Sequence, residues 1–486
     1  MKGEIEKIIE ENRKEYAAYY PELRFVTPEE AYKASVEREE LIEFFKSHAK
    51  WDFNRTKVDT TRLSPGCQSC GEGTWSCLFI NNTCNANCFY CPAAQEDVSQ
   101  PTTQTVPFND VESYIAYIRK FNFKGVSISG GEPFLTYEKT LHFLRRIREE
   151  FGKGLYLWLY TNGILATRDK FRELKDAGLD EIRFDIGAVG YQTDKVEVAC
   201  DIFDTVTVEI PAVPEEEERL KALIPKLVRM GVTFLNLHQI RCTSHNFKKL
   251  VKKGYTFLHG PKISVLESEL TALRLIKYVK ENQYDLPINY CSFIYKYRFQ
   301  RLAARKRFAP YITDSYEDIT ETGMIRRMMI QGSVEDIKAQ VDLFRRKEIS
   351  AENYHVTGKY DHQIYVKASL WNLIDFNHFE LHVSYSRAFI LPGVSYQNRF
   401  VEIPLRSGKQ VVVERIPYLE SGPLSSLQLK VFEEFFLKDD QSKKDYRHVD
   451  TLFSSWQEKC QVSDHLKFLM DAYDCEKLRW GLMDYY

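Results

Sequence analysis

Between residues 61 and 292 short apolar runs alternate with longer stretches whose apolar positions recur at helical spacing. The runs cover 76–81, 125–129, 155–160, 181–185, 205–210, 233–237 and 286–290, and the helical stretches cover 111–121, 137–151, 168–177, 216–230 and 268–282. Short runs joined by amphipathic helices mark repeated βα units on a parallel sheet. The pattern predicts an α/β fold, a full or partial (β/α) barrel with its chemistry at the carboxyl ends of the strands. Ahead of it, residues 1–50 read as helix, because Ile5, Ile8 and Ile9 share one face and Thr27-Pro28-Glu29-Glu30 supplies a cap, a first-turn proline and first-turn acids. After Gly323 the order is strand, helix from Ser333, two strands around Lys359-Tyr360-Asp361, a short helix at 370–374 and a strand at 380–385. That succession predicts a small α+β domain of ferredoxin-like type. A hairpin follows across Ser407-Gly408-Lys409, then a helical tail with Trp456 and Trp480 as packing anchors. The expected organisation is an N-terminal helical cap over 1–60, a barrel over 61–300, an α+β region over 301–420 and a helical tail over 421–486.

Composition narrows the function. A chain of 486 residues exceeds one ordinary core. A net charge of −2, from 67 basic and 69 acidic residues, supplies no global field for non-specific nucleic-acid binding. The absence of an apolar run long enough to span a bilayer, and the charged start Met-Lys-Gly-Glu-Ile-Glu-Lys, predict a cytoplasmic protein without a membrane span. Six of the eleven cysteines crowd between Cys67 and Cys91, which in such a chain predicts metal rather than disulfides. Residues 293–310 mix basic and aromatic positions. They read as a packed helix with a solvated face, or alternatively as a surface for an anionic or peptide substrate.

The densest chemistry is Cys84-Asn-Ala-Asn-Cys88-Phe-Tyr-Cys91, which directly follows the first predicted strand. Three thiolates from one tight loop can hold three irons of a [4Fe–4S] cubane and leave the fourth iron open for chemistry. The second strand ends in Gly130-Gly131-Glu132-Pro133, where paired glycines would let backbone approach a ligand and Glu132 would take an amino group. The third ends in Thr161-Asn162-Gly163. The fourth ends at Asp185, a carboxylate suited to ribose hydroxyls or to capping, and the sixth ends at His238.

Taken together, these segments resemble the radical S-adenosylmethionine (SAM) enzymes, in the branch of the pyruvate formate-lyase activating enzyme. The resemblance spans residues 77–240, about a third of the chain. It implies that Cys84, Cys88 and Cys91 hold the SAM cluster, that Gly130, Gly131 and Glu132 bind the SAM amino group, and that Thr161, Asn162, Asp185 and His238 complete the pocket. Tyr90 would pack on adenine, with a core aromatic as the alternative. Gly187 stands where that branch carries a lysine. The activity implied is reductive cleavage of SAM to a 5′-deoxyadenosyl radical that abstracts hydrogen from a substrate, with a flavodoxin or ferredoxin as electron donor. A glycyl-radical-enzyme activase is one alternative, and a non-catalytic iron–sulfur electron carrier is another.

Cys67-Gln-Ser-Cys70 and Cys77 form a second array in a glycine-rich segment, suited to an auxiliary iron–sulfur cluster or a structural zinc. Cys242 and Cys291 are candidates for its fourth ligand. Both are expected at the barrel top, roughly 16–20 Å from Cys77 at the bottom of the first strand. If the site lies elsewhere, each is a candidate hydrogen-atom donor beside the substrate. Cys200, Cys460 and Cys475 read as ordinary packing cysteines.

Overall fold

In the computed structural model the seven apolar runs become parallel strands that pair in chain order: β3 (Trp75–Asn81), β6 (Gly125–Gly130), β7 (Tyr156–Thr161), β8 (Glu181–Phe184), β9 (Thr205–Pro211), β10 (Phe234–His238) and β13 (Ile288–Cys291). The short strands β1 (Trp51–Asp52) and β2 (Lys57–Val58) extend the sheet beyond β13, and β4 (Thr102–Thr103) and β5 (Val106–Pro107) extend it beyond β3. The small pair β11 (Phe257–Leu258) and β12 (Ser264–Val265) stands apart. Residues 2–95, 100–357, 362–438 and 463–485 are described. Among them the β3 and β13 edges meet these short strands rather than each other, so the array is a partial barrel. Lys359, Tyr360, Asp361, Trp456 and Cys460 lie outside the described residues.

The chain divides into two units. The first is Met1–Gln300 with Leu405–Ser407 and Gly481–Tyr486; the second is Arg301–Pro404 with Gly408–Trp480. In the first, α1 (Lys2–Tyr16) and α2 (Pro28–His48) precede the sheet, and Thr27 and Glu30 form the reciprocal cap that opens α2. The crossover helices are α4 (Val111–Lys120), α5 (Tyr137–Phe151), α6 (Arg168–Asp176), α7 (Asp194–Cys200), α8 (Glu217–Met230), α9 (Phe247–Lys252) and α10 (Leu266–Glu281). The Cys67 segment, expected to be a loop, is instead helix α3 (Pro65–Glu72). Ser64 caps it, Pro65 opens it, and Gly73 ends it in the left-handed conformation.

Alternation along the strands separates two faces. Leu78, Ile80, Val126, Ile128, Leu157, Leu159, Ile182, Val206, Val208, Leu235 and Leu237 are all buried on one face. Each such side chain contributes about 1.5–3 kcal/mol when removed from water. The intervening positions are mostly polar: Cys77, Ser127, Tyr160, Glu181, Arg183, Thr207, Glu209, Asn236, His238, Asn289 and Cys291. Helix α3 lies against this polar face, because a Cβ on Gly66 would overlap the Arg183 guanidinium. Among the described residues, no helix is long and apolar enough to cross a membrane.

The second unit begins with α12 (Arg301–Phe308), which follows α11 (Phe293–Tyr295) and a π-turn at Lys296–Gln300 that ends the first unit. Its antiparallel sheet has the order β16 (Tyr354–Val356), β17 (Gln363–Val366), β15 (Ile325–Gln331), β18 (Glu380–Leu391), β20 (Gln410–Glu420), β19 (Phe400–Pro404), with β14 (Asp318–Ile319) beside β15. Helix α13 (Val334–Arg346) connects β15 to β16, and the 370–374 segment is a 3-10 helix, Ala368–Leu373. Met328, Ile330, Phe344, Leu381, Val383, Phe432 and Leu469 belong to one core with α14 (Ser426–Phe432) and the last helix, α15 (Ser463–Glu476). Glu476, at the end of α15, accepts hydrogen bonds from Arg326 at 2.9 Å and the Tyr385 hydroxyl at 2.7 Å, and the Arg326 and Glu476 side chains are 7% and 4% exposed. Removing one member of a buried pair strands the other charge. Glu476→Ala should therefore lower stability by about 3 kcal/mol, read as a drop in the urea midpoint of the second unit's transition; an unchanged midpoint would contradict the pairing.

Candidate active site

The strand order delivers β3, β6, β7 and β8 side by side, so the segments after their last residues become neighbours. Asn81 at the end of β3 donates to Glu132 O at 3.0 Å and to Thr136 Oγ1 at 2.7 Å, while Glu132 N donates to Thr83 O at 2.8 Å. A Cβ at Gly130 would overlap the Asn81 carbonyl, and one at Gly131 the Thr83 carbonyl. The paired glycines let the β6 exit press against the backbone that leads into the Cys84 loop.

Glu132 is 1% exposed. Its carboxylate accepts from the Thr161 hydroxyl at 2.8 Å, Asn162 N at 2.7 Å and Phe134 N at 3.0 Å. Burial pushes its pKa up, and these hydrogen bonds oppose the shift. Three of its roughly four acceptor positions are thus taken by protein, so Glu132 braces the β6 and β7 exits. Asn162 continues the chain of contacts, donating to Asn85 Oδ1 at 2.8 Å and to Cys84 Sγ at 3.7 Å, and Ala86 N donates to the same sulfur at 3.4 Å.

Cys88 and Cys91 lie at the other end of the loop, tied down through Tyr90. The Tyr90 hydroxyl donates to both Asp185 oxygens at 2.9 and 3.1 Å, and Asn246 Nδ2 donates to Tyr90 O at 3.1 Å. The phenol expected to lie on adenine is thus anchored by its hydroxyl to the β8 exit. A Cβ on Gly187 would stand 2.5 Å from that hydroxyl, so the glycine that departs from the resembled branch is what admits the Tyr90–Asp185 contact. Burial pushes Asp185 up to about 6 and Cys88 up to about 12. N–H groups aimed at a loop sulfur, with three cysteines in eight residues, suit thiolates that give up their protons to iron.

His238, the last residue of β10, is held by a different set of contacts. Its Nε2 is 2.6 Å from Glu209 Oε1, and Lys296 on the π-turn reaches its Nδ1 at 2.5 Å. With the amine as donor, Nδ1 accepts and Nε2–H points at the carboxylate. Burial raises Glu209, but Arg183 and His238 outweigh it and hold the carboxyl well below its usual range. Burial pushes Lys296 down despite the nearby Cys291 and Glu209. Arg183 donates to Glu181 at 2.8 Å, Glu209 at 2.6 Å and Ser64 Oγ at 3.0 Å.

Cys242 belongs to a buried apolar cluster with Tyr16, Phe247 and Ile263, against which Phe89 and Tyr90 of the cysteine loop pack, and burial pushes its thiol up to about 12. Cys291 is different, pairing with His238 in the β10–β13 ladder and lying on the polar face. Lys57, Arg183, Asn236, Asn289 and Lys296 were not singled out from sequence. The signal for Arg183, Asn236 and Asn289 is a polar residue at every second position of an otherwise apolar strand, as in Glu181-Ile-Arg183, Asn236-Leu-His238 and Asn289-Tyr-Cys291. Among the described residues, no three His, Cys, Asp or Glu side chains are grouped for a single metal ion.

The radical SAM superfamily profile matches residues 78–195. A Methanocaldococcus jannaschii protein, named as a candidate glycyl-radical enzyme activating enzyme, is 30% identical over 306 residues, which cover 60% of this chain and 80% of that protein. A GTP 3′,8-cyclase from Campylobacter jejuni is 24% identical over 129 residues, 26% of this chain and 39% of the cyclase. The structure of Streptococcus suis SuiB bound to S-adenosylmethionine is 12% identical with a TM-score of 0.34, covering 59% of this chain and 60% of SuiB.

Asp185 generates a pH prediction. Its pKa rises from the usual 3.8 to about 6 on folding, so the folded chain holds this proton more tightly than the unfolded one. The stability contribution is fully present below pH ~4 and is lost as pH rises through ~6. Asp185→Asn removes that loss, so the variant should gain on the wild type across this window by up to about 3 kcal/mol. Anaerobic urea unfolding at a series of pH values reads the difference, and a difference constant with pH would contradict the shift.

Proposed function

The chain belongs to the radical SAM superfamily and is an enzyme that works with a [4Fe–4S] cluster and SAM, and we propose that Cys84, Cys88 and Cys91 hold this cluster while Glu132, Thr161, Asn162 and Asp185 form the SAM pocket. When bound, the cluster and SAM supply one-electron cleavage to a 5′-deoxyadenosyl radical able to abstract hydrogen from substrate. The observation that carries the reading is the convergence of the cysteine loop with the ends of β6, β7 and β8 through Glu132, Asn162 and Tyr90.

The protein's own part is orientation. Glu132 locks the β7 exit to the β6 exit, and Asn162 passes that constraint to the Cys84 sulfur. Asp185, held by Tyr90, offers its remaining lone pairs to hydroxyl groups. Glu209, His238 and Lys296 line the polar face with charge, which suits a polar substrate. The electron donor is of flavodoxin or ferredoxin type. A second reading, activation of a glycyl-radical enzyme, is favoured by the name of the archaeal relative that this chain largely covers.

Cys88→Ala, reconstituted anaerobically and supplied with a reductant, should lose 5′-deoxyadenosine formation entirely. Retained formation would refute the ligand assignment. Mixing the wild type with candidate partner enzymes and looking for a glycyl EPR doublet separates activase from small-molecule chemistry. A mere electron carrier would cycle without releasing 5′-deoxyadenosine.

A further inference from the structure

We infer that Cys67, Cys70, Cys77 and Cys291 together hold a second iron–sulfur cluster on the polar face of the partial barrel, with Lys57 as its counter-cation.

The four thiols come from three distant segments. Cys67 and Cys70 are three apart on α3 and so project from one side of the helix. That helix is pressed inward at two glycines: a Cβ on Gly66 would overlap Arg183, and one on Gly71 would overlap the Phe53 ring. Cys77 is the third residue of β3, opposite Ser127, and Cys291 ends β13, opposite His238. The expected separation of Cys291 from Cys77 is roughly 16–20 Å, and α3, a helix laid against the strands rather than a loop below them, brings Cys70 within reach of both.

Most contacts around these sulfurs suit an acceptor, the exception being Cys291 Sγ, which also donates to Asn289 Oδ1 at 3.4 Å. Lys57 Nζ is 2.6 Å from Cys291 Sγ, Asn236 Nδ2 donates to Cys67 Sγ at 3.3 Å, and Gln300 Nε2 donates to Cys70 Sγ at 3.1 Å. The Tyr295 hydroxyl lies 3.9 Å from the Cys70 sulfur, and Lys57 lies 4.8 Å from the centre of the Tyr295 ring. A neutral thiol is a weak acceptor, so an amide, an amine and a second amide aimed at three sulfurs fit thiolates. Cys70 is within electrostatic reach of Cys67 and Cys291, and Cys77 of Cys70.

A sulfur-only donor set selects zinc or an iron–sulfur cluster. Lys57 also donates to Asn289 at 2.7 Å, Asn289 donates to Asn236, and Asn236 reaches Cys67. Among the described residues no three His, Cys, Asp or Glu side chains are grouped for a single metal ion, so the four sulfurs match a cubane, which takes each cysteine on a different iron, better than one zinc with four thiolates at about 2.3 Å. Four thiolates also leave no open iron, which makes this cluster a carrier of electrons rather than a substrate anchor.

The test is anaerobic reconstitution followed by iron, sulfide and zinc counts with EPR. Wild type should hold about eight irons and eight sulfides, four of each per cubane. The variant Cys84→Ser/Cys88→Ser/Cys91→Ser should keep about four irons with a reduced-cluster signal unmoved by SAM. Cys67→Ser/Cys70→Ser should keep about four irons with a signal that SAM shifts. Cys291→Ser should convert the SAM-insensitive signal to a three-iron type on mild oxidation, whereas Cys242→Ser should leave it unchanged. An iron-free triple variant, or one holding about one zinc per chain, would overturn the inference. Loss of the SAM response in the Cys67/Cys70 variant, with its four irons kept, would instead count against the SAM-cluster assignment.

Discussion

The organisation of the first unit depends on the burial of Arg183. Its guanidinium is almost completely removed from water and is compensated by Glu181 and Glu209, with Ser64 and Tyr160 satisfying further donors. A charge buried in this way is tolerated only while its partners hold position, and removing one costs about 3–5 kcal/mol. Three consequences run outward from it. Glu209 is kept ionised and so orients His238; Ser64, the cap of α3, is fixed against β8; and α3, once docked, carries Cys67 and Cys70 to the polar face.

The βα alternation was legible because each strand puts apolar residues against the helices, and that burial dominates the local pattern. Helix α5 falls at residues 137–151 as the periodicity required, and most strands match within one or two residues. The polar face was not legible from the same runs, since four to seven residues are too few for a second periodic signal to stand out. Helix α3 was missed because serine and glycine lower helix propensity, although Ser64, Pro65 and Gly73 are the expected stop and start residues. The cysteine loop was legible from spacing alone. What spacing could not give was which groups its neighbours engage: the glycines at 130 and 131 meet backbone, Tyr90 meets Asp185, and His238 meets Glu209 and Lys296.

The π-turn at Lys296–Gln300 adds a different kind of constraint. A π-turn advances the chain by less rotation per residue than an α-helix, and such turns recur where side chains must be aimed. Here it aims Lys296 at His238 and Gln300 at Cys70, two groups served from opposite ends of the same turn.

Gly187 has an electrostatic corollary. A lysine at this position would place a fixed positive charge beside Asp185, whereas the glycine admits a neutral phenol in its place. Once Asp185 ionises, the neighbourhood is therefore one unit more negative than a lysine-bearing equivalent. A cationic sulfonium gains from that difference and an anionic group loses. The balance between the two is set by a residue that contributes no atoms of its own side chain to the site.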